Sequence, residues 1–266
     1  MIDTAIDLED GEPVWAFAEN AMVAGGYRAW ERLGVGIRCE TWLVWSPRLW
    51  APAVLKLPRP HLATHPRATQ SLSREVSALR DNPHPVLPRL YGSGFTDEMH
   101  YIAVEYVDGP TLADEIDDGG TILAAEVALL GIQVLTALRT LHQRGLAHVD
   151  VKPDNIVIRD GRPVLIDFGS AREIGAKQPA GRPVGTAGYA PPEMEACEPI
   201  SAAMDVYALG VTLREAGGKP GGPLADVLDR MTADDPVERP STHAALVALG
   251  TLVPDDLRPW PAWATR

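Results

Sequence analysis

The chain has 266 residues, which is enough for one large domain or two smaller lobes. With 45% hydrophobic and 23% charged residues it has the composition of a globular protein, and its net charge of −12 argues against nucleic acid or an anionic membrane as the main partner. The two cysteines, Cys39 and Cys197, belong to no metal-binding pattern, so we expect reduced thiols in a cytoplasmic protein.

The first part of the chain predicts strands with one helical interruption. Residues 1–25 are acidic, unlike a secretory signal, and we interpret them as an N-terminal extension whose Trp15 and Phe17 could dock on the domain. Apolar residues at helical spacing predict a helix over Thr69–Arg80, and three prolines then forbid its continuation. The predicted strands of this region are Tyr27–Leu33, Glu40–Ser46, Pro52–Leu57, Leu90–Gly94 and Met99–Glu105.

After a turn-rich hinge at Val107–Pro110 the pattern becomes helical. The most apolar stretch, Ile122–Leu141, contains Glu126, Gln133 and Arg139, so we expect a buried helix and no membrane span. The predicted helices are Thr111–Asp117, Ile122–Gly145, one that begins near Ser201, Leu224–Met231 and Thr242–Leu249. Strands followed by helices predict an α+β chain with two lobes, an antiparallel sheet plus one helix first and a mainly helical lobe second.

The segment from Leu146 to Gly169 carries most of the candidate chemistry. On one loop, Asp150, Lys152 and Asn155 suit a base, a phosphate contact and a metal ligand, and Asp167 follows a short β-hairpin. This combination resembles the catalytic loop and DFG segment of the eukaryotic-like (bacterial Hanks-type) serine/threonine protein kinases. The resemblance implies a two-lobed protein-kinase fold and transfer of the γ-phosphate of Mg·ATP to serine or threonine hydroxyls of protein substrates.

The same resemblance assigns a role to each polar residue of the segment. Asp150 would be the catalytic base and Lys152 would stabilise the transferring phosphate, while Asn155 and Asp167 would bind Mg²⁺. Thr186 would hydrogen-bond between Asp150 and Lys152, a pattern of the Ser/Thr-specific members.

Lys56 ends a predicted strand, where a lysine is often only an edge-strand solubility residue. In the family, a lysine here contacts the ATP phosphates and is held by a glutamate on a helix. Glu75 lies inside the predicted helix at the required distance, so the pair favours the functional interpretation.

A glycine-containing turn, Leu33-Gly34-Val35-Gly36, precedes Lys56 and is on its own a weak signal for a phosphate loop. The family pattern has a third glycine and a valine where this chain has Cys39 and Thr41, so the loop is degenerate. The nucleotide-binding residues that the resemblance implies are Leu33, Gly34, Gly36, Thr41, Ala53, Lys56, Glu105, Val107 and Val157.

Residues downstream support the resemblance. Glu193 closes a segment similar to the APE end of the substrate-docking loop, Asp205 would anchor the catalytic loop from a buried helix, and Arg239 would pair with Glu193. The implied domain boundaries are an extension over 1–25, a kinase domain over 26–250 and a tail over 251–266, the kinase domain comprising an N-lobe over about 26–104, a hinge over 105–110 and a C-lobe over 111–250.

Two departures bear on regulation. Val149 replaces the arginine that in many kinases receives an activation-loop phosphate, and residues 171–185 contain no Ser, Thr or Tyr. We therefore expect activity that is independent of activation-loop phosphorylation. The degenerate glycine loop keeps open an ATP-binding pseudokinase scaffold, and a small-molecule kinase of the aminoglycoside or choline type ranks last because those enzymes generally lack the equivalents of Lys152, Glu193, Asp205 and Arg239.

Overall fold

The computed structural model describes residues 6–255 except 10, 97–98, 120–121, 179–180, 182 and 219. The described residues form two compact units, an N-terminal unit up to residue 83 together with 88–107 and a C-terminal unit of 84–87 together with the chain from 108 onward. The predicted tail lies mostly outside the described residues, and the predicted domain boundaries stay predictions.

The N-terminal unit contains one five-stranded antiparallel sheet and one helix. Its elements are β1 (Ile6–Glu9), β2 (Glu12–Trp15), β3 (Arg28–Val35), β4 (Cys39–Ser46), β5 (Ala51–Pro58), α1 (Pro66–Leu79), β6 (Leu90–Thr96) and β7 (Met99–Glu105). The strand order of the sheet is β3-β4-β5-β7-β6, and β1 pairs with β2 as a separate hairpin. The predicted strands and helix are confirmed, whereas β1 and β2 were not predicted.

Helix α1 forms because proline at its first position needs no backbone donor and because its apolar residues recur on one face. Leu72, Glu75 and Leu79 lie on that face and are buried. A carboxylate on the buried face of a helix requires a partner, and the partner of Glu75 is described below.

The C-terminal unit is mainly helical. Its elements are α2 (Leu112–Asp117), α3 (Ala124–Gln143), β8 (Leu146–Ala147), β9 (Ile156–Arg159), β10 (Arg162–Leu165), β11 (Arg172–Glu173), α4 (Pro192–Glu195), α5 (Ala202–Ala216), α6 (Gly222–Met231) and α7 (Thr242–Gly250). The predicted helices are confirmed with shifts of a few residues, and the α+β class is confirmed. The two-residue strands β8 and β11, which pair with each other, and the short α4 were not predicted.

Helix α3 packs against α5 and α7, with Leu135, Leu138 and Leu141 fully buried. By length and composition it is the single helix of the described part of the chain that could cross a membrane, and half of its most apolar stretch is buried inside the protein. Such a helix is weak support for a membrane span, because core helices share its composition.

Candidate functional site

The loop between β8 and β9 is held in shape by Asn155. The amide of Asn155 donates to the backbone carbonyl of Asp150 at 2.8 Å and to Asp150 Oδ2 at 3.3 Å. The Asn155 N–H in turn donates to the Lys152 carbonyl, which closes a short 3₁₀ turn over Pro153–Asn155. These contacts fix the backbone between Asp150 and Asn155, so both side chains have defined directions.

Asp205 on α5 anchors the start of the same loop. Its carboxylate, which is fully buried, accepts the backbone N–H groups of His148 and Val149, each at 2.8 Å. His142 Nε2 lies 2.8 Å from Asp205 Oδ2, and His142 Nδ1 lies 2.8 Å from Thr242 Oγ1. The imidazole of His142 on α3 thus joins α5, through Asp205, to the start of α7, through Thr242.

The environment of Asp205 lowers its pKa. Burial alone would raise the pKa, but the hydrogen bond and charge of His142, the charge of His148 and the N–H of Val149 outweigh burial and hold the pKa below its usual value. Asp205 is therefore a carboxylate, able to accept from both loop amides. Sequence analysis missed His142, which lies in the last turn of the apolar helix α3; a hydrophilic side chain at the end of a buried helix was the available signal.

Thr186 contacts Asp150 directly. Thr186 Oγ1 donates to Asp150 Oδ1 at 2.7 Å, across 36 residues of chain. No hydrogen bond joins Thr186 to Lys152 in the part of the chain that the structure describes, so one of the two predicted partners is present. The contact orders the Asp150 carboxylate from one side while Asn155 orders it from the other.

The hairpin β9–β10 places Asp167 at the end of an apolar strand. Asp167 has φ of 60° and is exposed, and its Oδ1 accepts the Gly169 N–H at 3.3 Å. A positive φ is unusual for a residue other than glycine and occurs often at functional sites. The following Phe168 is buried, with its ring 4.8 Å from that of His148, which supports His148 as a structural residue.

In the N-terminal unit, Lys56 on β5 and Glu75 on α1 form an ion pair. Lys56 Nζ lies 2.8 Å and 2.9 Å from the two carboxylate oxygens of Glu75. The Glu75 side chain is 2% exposed and that of Lys56 is 12% exposed, so the pair is largely shielded from water. This contact fixes the lysine ammonium at the inner face of the sheet.

The glycine-containing turn joins β3 and β4. Gly34 pairs with Thr41 across these strands, and the Gly36 N–H donates to the Cys39 carbonyl at 2.9 Å. The register of the pair shifts between Arg32 and Gly34, which marks a bulge at Leu33. The turn is thus closed by the residue that stands in place of the third glycine.

The remaining predicted nucleotide-binding residues lie in both units. Ala53 on β5 is fully buried and pairs with Glu105 on β7, with Val107 two residues further on. The Glu105 N–H donates to the Arg89 carbonyl at 2.8 Å. Val157 lies in β9 of the C-terminal unit, where it forms an isolated bridge with Thr111.

Val149 lies in an apolar cluster with residues of the following segment. The cluster consists of Ala147, Val149, Met194, Ile200 and Met204, with Ala176, Val184 and Ala190 packed against it. Val149 has φ of 65°, which is strained for a β-branched residue, and its side chain is 2% exposed. Its carbonyl would lie 2.8 Å from a Cβ at position 185, so Gly185 is needed there.

Two backbone hydrogen bonds tie the same segment to the chain before α5. The Gly175 N–H donates to the Ile200 carbonyl at 2.7 Å, and the Ile200 N–H donates to the Ala176 carbonyl at 2.9 Å. Gln178 donates from its amide to the Glu198 carbonyl at 2.7 Å and accepts the Val184 N–H. The segment is therefore ordered by apolar packing and amide contacts.

Candidate metal ligands are few. No group of three or more His, Cys, Asp and Glu side chains among the described residues forms a potential metal cage. Mg²⁺ does not require one, because it is usually held by one or two carboxylates, substrate phosphates and water. The oxygens of Asn155 and Asp167 are hard ligands of the kind it prefers.

Comparisons with known proteins show which family and which relatives this chain resembles. The family model described as the protein kinase domain matches residues 48–220. The chain is 31% identical over 206 residues to a probable serine/threonine-protein kinase of Streptomyces coelicolor, covering 74% of this chain and 31% of that protein. It is 32% identical over 235 residues to the serine/threonine-protein kinase PknB of Mycobacterium tuberculosis, covering 84% and 38%.

A solved structure of a kinase domain is also similar to this chain. The crystal structure of the Mycobacterium tuberculosis PknI kinase domain matches with a TM-score of 0.70 and 28% sequence identity, covering 89% of this chain and 99% of that one. The chain spans about a third of the length of the two curated relatives above.

Proposed function

The chain belongs to the protein kinase domain family, and from that premise we propose that it is a serine/threonine protein kinase that uses Mg·ATP. The observation that carries the proposal is the pair of contacts at Asp150, to Thr186 at 2.7 Å and to Asn155 at 2.8 Å. They bring to Asp150 the hydroxyl of a segment 36 residues further along the chain and the amide of its own loop, the residue types that the family pattern has at these positions.

In the C-terminal unit, Asp150 would accept the proton of the substrate hydroxyl as the phosphoryl group is transferred. Lys152 would stabilise the charge that develops on the transferring phosphate. Asn155 and Asp167 would hold Mg²⁺, which when bound neutralises charge on the nucleotide phosphates. Asn155 would thus both order Asp150 through its N–H₂ group and offer its oxygen to the metal.

In the N-terminal unit, Lys56 would contact the α- and β-phosphates, with Glu75 fixing the ammonium group. The proposed nucleotide contacts are those of Leu33, Gly34, Gly36, Thr41, Ala53, Glu105 and Val107 in this unit and Val157 in the other. A point charge held at 2.8 Å by a buried carboxylate loses little side-chain entropy when the nucleotide binds.

The regulation that we propose follows from Val149. An arginine is absent where many kinases bind an activation-loop phosphate, and the apolar cluster around Val149 orders the segment without charge. Treatment of the purified protein with a phosphatase should therefore leave ATP-dependent transfer unchanged. A large loss of activity would contradict this part of the proposal.

A labelled-ATP transfer assay with native lysate as substrate tests the activity, followed by identification of the phosphorylated residues. Asp150→Ala should abolish transfer while the protein still folds and binds ATP. Asp154→Ala is the matched control, because Asp154 is an exposed carboxylate on the same loop. Transfer that survives in Asp150→Ala would remove Asp150 from the mechanism.

The degenerate glycine loop favours a second candidate, an ATP-binding scaffold without catalysis. Cys39 and Thr41 stand where the family has glycine and valine, and Cys39 closes the turn with its carbonyl. A thermal-shift assay with Mg·ATP combined with the transfer assay separates the candidates. Nucleotide binding without transfer would favour the scaffold.

Protein substrates and a cytoplasmic location are part of the proposal. The net charge of −12 is compatible with basic protein substrates. Phosphorylated sites that prefer neighbouring Lys and Arg in the lysate assay would support such a substrate class.

A further inference from the structure

The residues before β3 are packed into the N-terminal unit. We call residues 12–27, which comprise β2 and the chain up to β3, the N-terminal strap. Its apolar side chains belong to the hydrophobic core of the unit and are Val14, Trp15, Phe17, Val23, Ala24 and Tyr27. Gly25 has φ of 72° and lies so close to the Tyr101 ring that a Cβ would approach it to 2.5 Å. The strap is therefore closely fitted to the sheet.

A buried carboxylate anchors the strap. Glu40 on β4 is 0% exposed, and its Oε1 accepts the Trp15 backbone N–H at 2.9 Å while its Oε2 accepts the Trp42 indole N–H at 3.1 Å. Burial raises the pKa of Glu40, and these hydrogen bonds with the charges of Arg32 and Arg59 oppose the rise. Because a buried carboxyl group needs bonded oxygens, the strap supplies a donor that Glu40 requires.

Aromatic side chains of the strap contact two strands of the sheet, β4 and β5. The Trp15 indole N–H donates to the Pro58 carbonyl at the end of β5, at 2.8 Å. The Trp15 ring stacks on Phe17 at 5.5 Å between centroids, and Phe17 packs against Trp42 of β4 at 5.0 Å. The strap thus bridges the ends of β4 and β5.

The anchor is adjacent to the glycine-containing turn. Glu40 directly follows Cys39, whose carbonyl closes the turn, and it pairs with Val35, which directly precedes Gly36. The cross-strand pair at the foot of the turn, Val35 with Glu40, therefore contains the carboxylate that anchors the strap.

The same stretch of β4 also pairs with β5, the strand that contains Lys56. Thr41, next to Glu40, pairs with Lys56 of β5, and Glu40 itself pairs with Leu57. Any tilt of β4 at Glu40 would therefore move both the turn and the neighbourhood of Lys56.

We propose that Glu40 is a positioning residue for the turn between β3 and β4, and that the N-terminal strap holds it in place. The inference rests on the proposed function insofar as this turn would cover the nucleotide phosphates. With Cys39 in place of a third glycine, the turn has less backbone freedom to adapt to a nucleotide. When buried hydrogen bonds fix the strand ends that flank the turn, the turn keeps one geometry. Nucleotide binding then has a lower entropy cost.

Calorimetric titration with Mg·ADP tests the proposal on two variants. Glu40→Gln keeps the volume but turns an amide N–H₂ toward one of two donors. Trp15→Phe removes the indole N–H that bonds the strap to the Pro58 carbonyl, while it keeps an aromatic ring and the backbone N–H that Glu40 accepts. Each should weaken ADP binding about three- to tenfold, the effect of one lost hydrogen bond. In the transfer assay, KM for ATP should rise by a similar factor with kcat unchanged.

Matched controls lie on β3 of the same sheet. Glu31→Gln alters an exposed glutamate and Trp30→Phe alters a tryptophan that is 53% exposed, and both should bind ADP within about twofold of the wild type. Amide hydrogen exchange over residues 33–41 should speed up in Glu40→Gln and Trp15→Phe only.

The outcomes separate this proposal from the proposed function. Unchanged ADP affinity with a lowered melting temperature would show that the strap only stabilises the fold and would overturn the proposal, as would a wild-type protein that binds no ADP. ADP binding without phosphate transfer would contradict the assignment as a kinase. The ADP titrations of the variants would still decide the role of Glu40. Should Glu40→Gln not fold, Trp42→Phe, which removes the indole donor to Glu40 Oε2, decides the role of Glu40.

Discussion

Arg239 donates from both terminal guanidinium nitrogens to the two carboxylate oxygens of Glu193, at 2.6 Å and 2.8 Å. Both side chains are buried, at 0% and 6% exposure. The other donors of Arg239 reach the backbone carbonyls of Ala203, Ala233 and Asp234. The pair therefore ties α4, the start of α5 and the chain before α7 together, and every buried charge in it has a partner.

Arg239→Ala should destabilise the protein by about 3 to 5 kcal/mol, because it leaves the Glu193 carboxylate buried without its cation. Arg214→Ala is the control, since Arg214 pairs with Asp229 at a similar 2.8 Å but with side chains 39% and 66% exposed. An exposed pair contributes about 0 to 1 kcal/mol. Urea unfolding measures both, and equal losses would contradict the structural role of the Glu193–Arg239 pair.

Lys56→Met should lower kcat/KM by at least about 100-fold, because the ammonium that would contact the phosphates is lost. The substitution also removes one partner of a buried ion pair, so stability should fall too. Lys56→Met combined with Glu75→Leu replaces the pair by apolar groups and should recover stability without recovering activity. A double variant that regains transfer would show that the pair acts only through folding.

Periodic patterns predicted the larger elements of the fold. The central sheet and the helices α1, α3 and α5 have runs of apolar residues long enough to show a period of two or 3.6. The strands β8 and β11 have two residues each, too few for any period, and they form because the chain on either side brings them together. The hairpin β1–β2 had a local signal, Asp10-Gly11, with Gly11 at φ of 78°. The alternation of Ile6 and Leu8 with acidic residues was a second signal, although four residues are a short run and both side chains are exposed.

Motif spacing predicted candidate residues that lie in one segment or in a recognisable pair, and the structure brings Asp150 and Asn155 into contact. It did not predict His142 or Glu40, because each acts through a contact that only the folded chain creates. His142 reaches Asp205 across 63 residues, and Trp15 reaches Glu40 across 25. Positive φ at Val149 was likewise not visible, since a β-branched residue disfavours it.

The stability of the protein should depend on Asp205 in the acid range. Its folded pKa lies below the usual value of 3.8, so its contribution is present above that value and is lost as pH falls through the folded pKa. Asp205→Asn should lower stability at pH 7, because an amide cannot accept both loop N–H groups. Urea unfolding from pH 7 to about pH 3 should show the difference between wild type and variant shrinking as the pH falls. A difference that stays constant would contradict the lowered pKa.

Val149→Ala should loosen the segment that follows Asp167. Removing the buried methyl groups should cost about 1 to 2 kcal/mol, partly offset because alanine tolerates the positive φ better. Amide exchange at Gly175, Ala176 and Val184 should increase. Val164→Ala, a similarly buried valine on β10, should cost as much without this local effect. Equal exchange in both variants would show that the apolar cluster does not order the segment.

The hydrogen bond from Thr186 to Asp150 should matter more for turnover than for nucleotide binding. Thr186→Val keeps the shape but removes the donor, and we expect kcat to fall about 10- to 100-fold while the affinity for Mg·ATP stays the same. Thr186→Ser keeps the hydroxyl and should retain most of the activity. Thr140 supplies the control, because its hydroxyl is bonded only to the Ala137 carbonyl within α3 and Thr140→Val should leave kcat unchanged. If Thr186→Val turns over like the wild type, the 2.7 Å contact is structural and Asp150 is oriented by Asn155 alone.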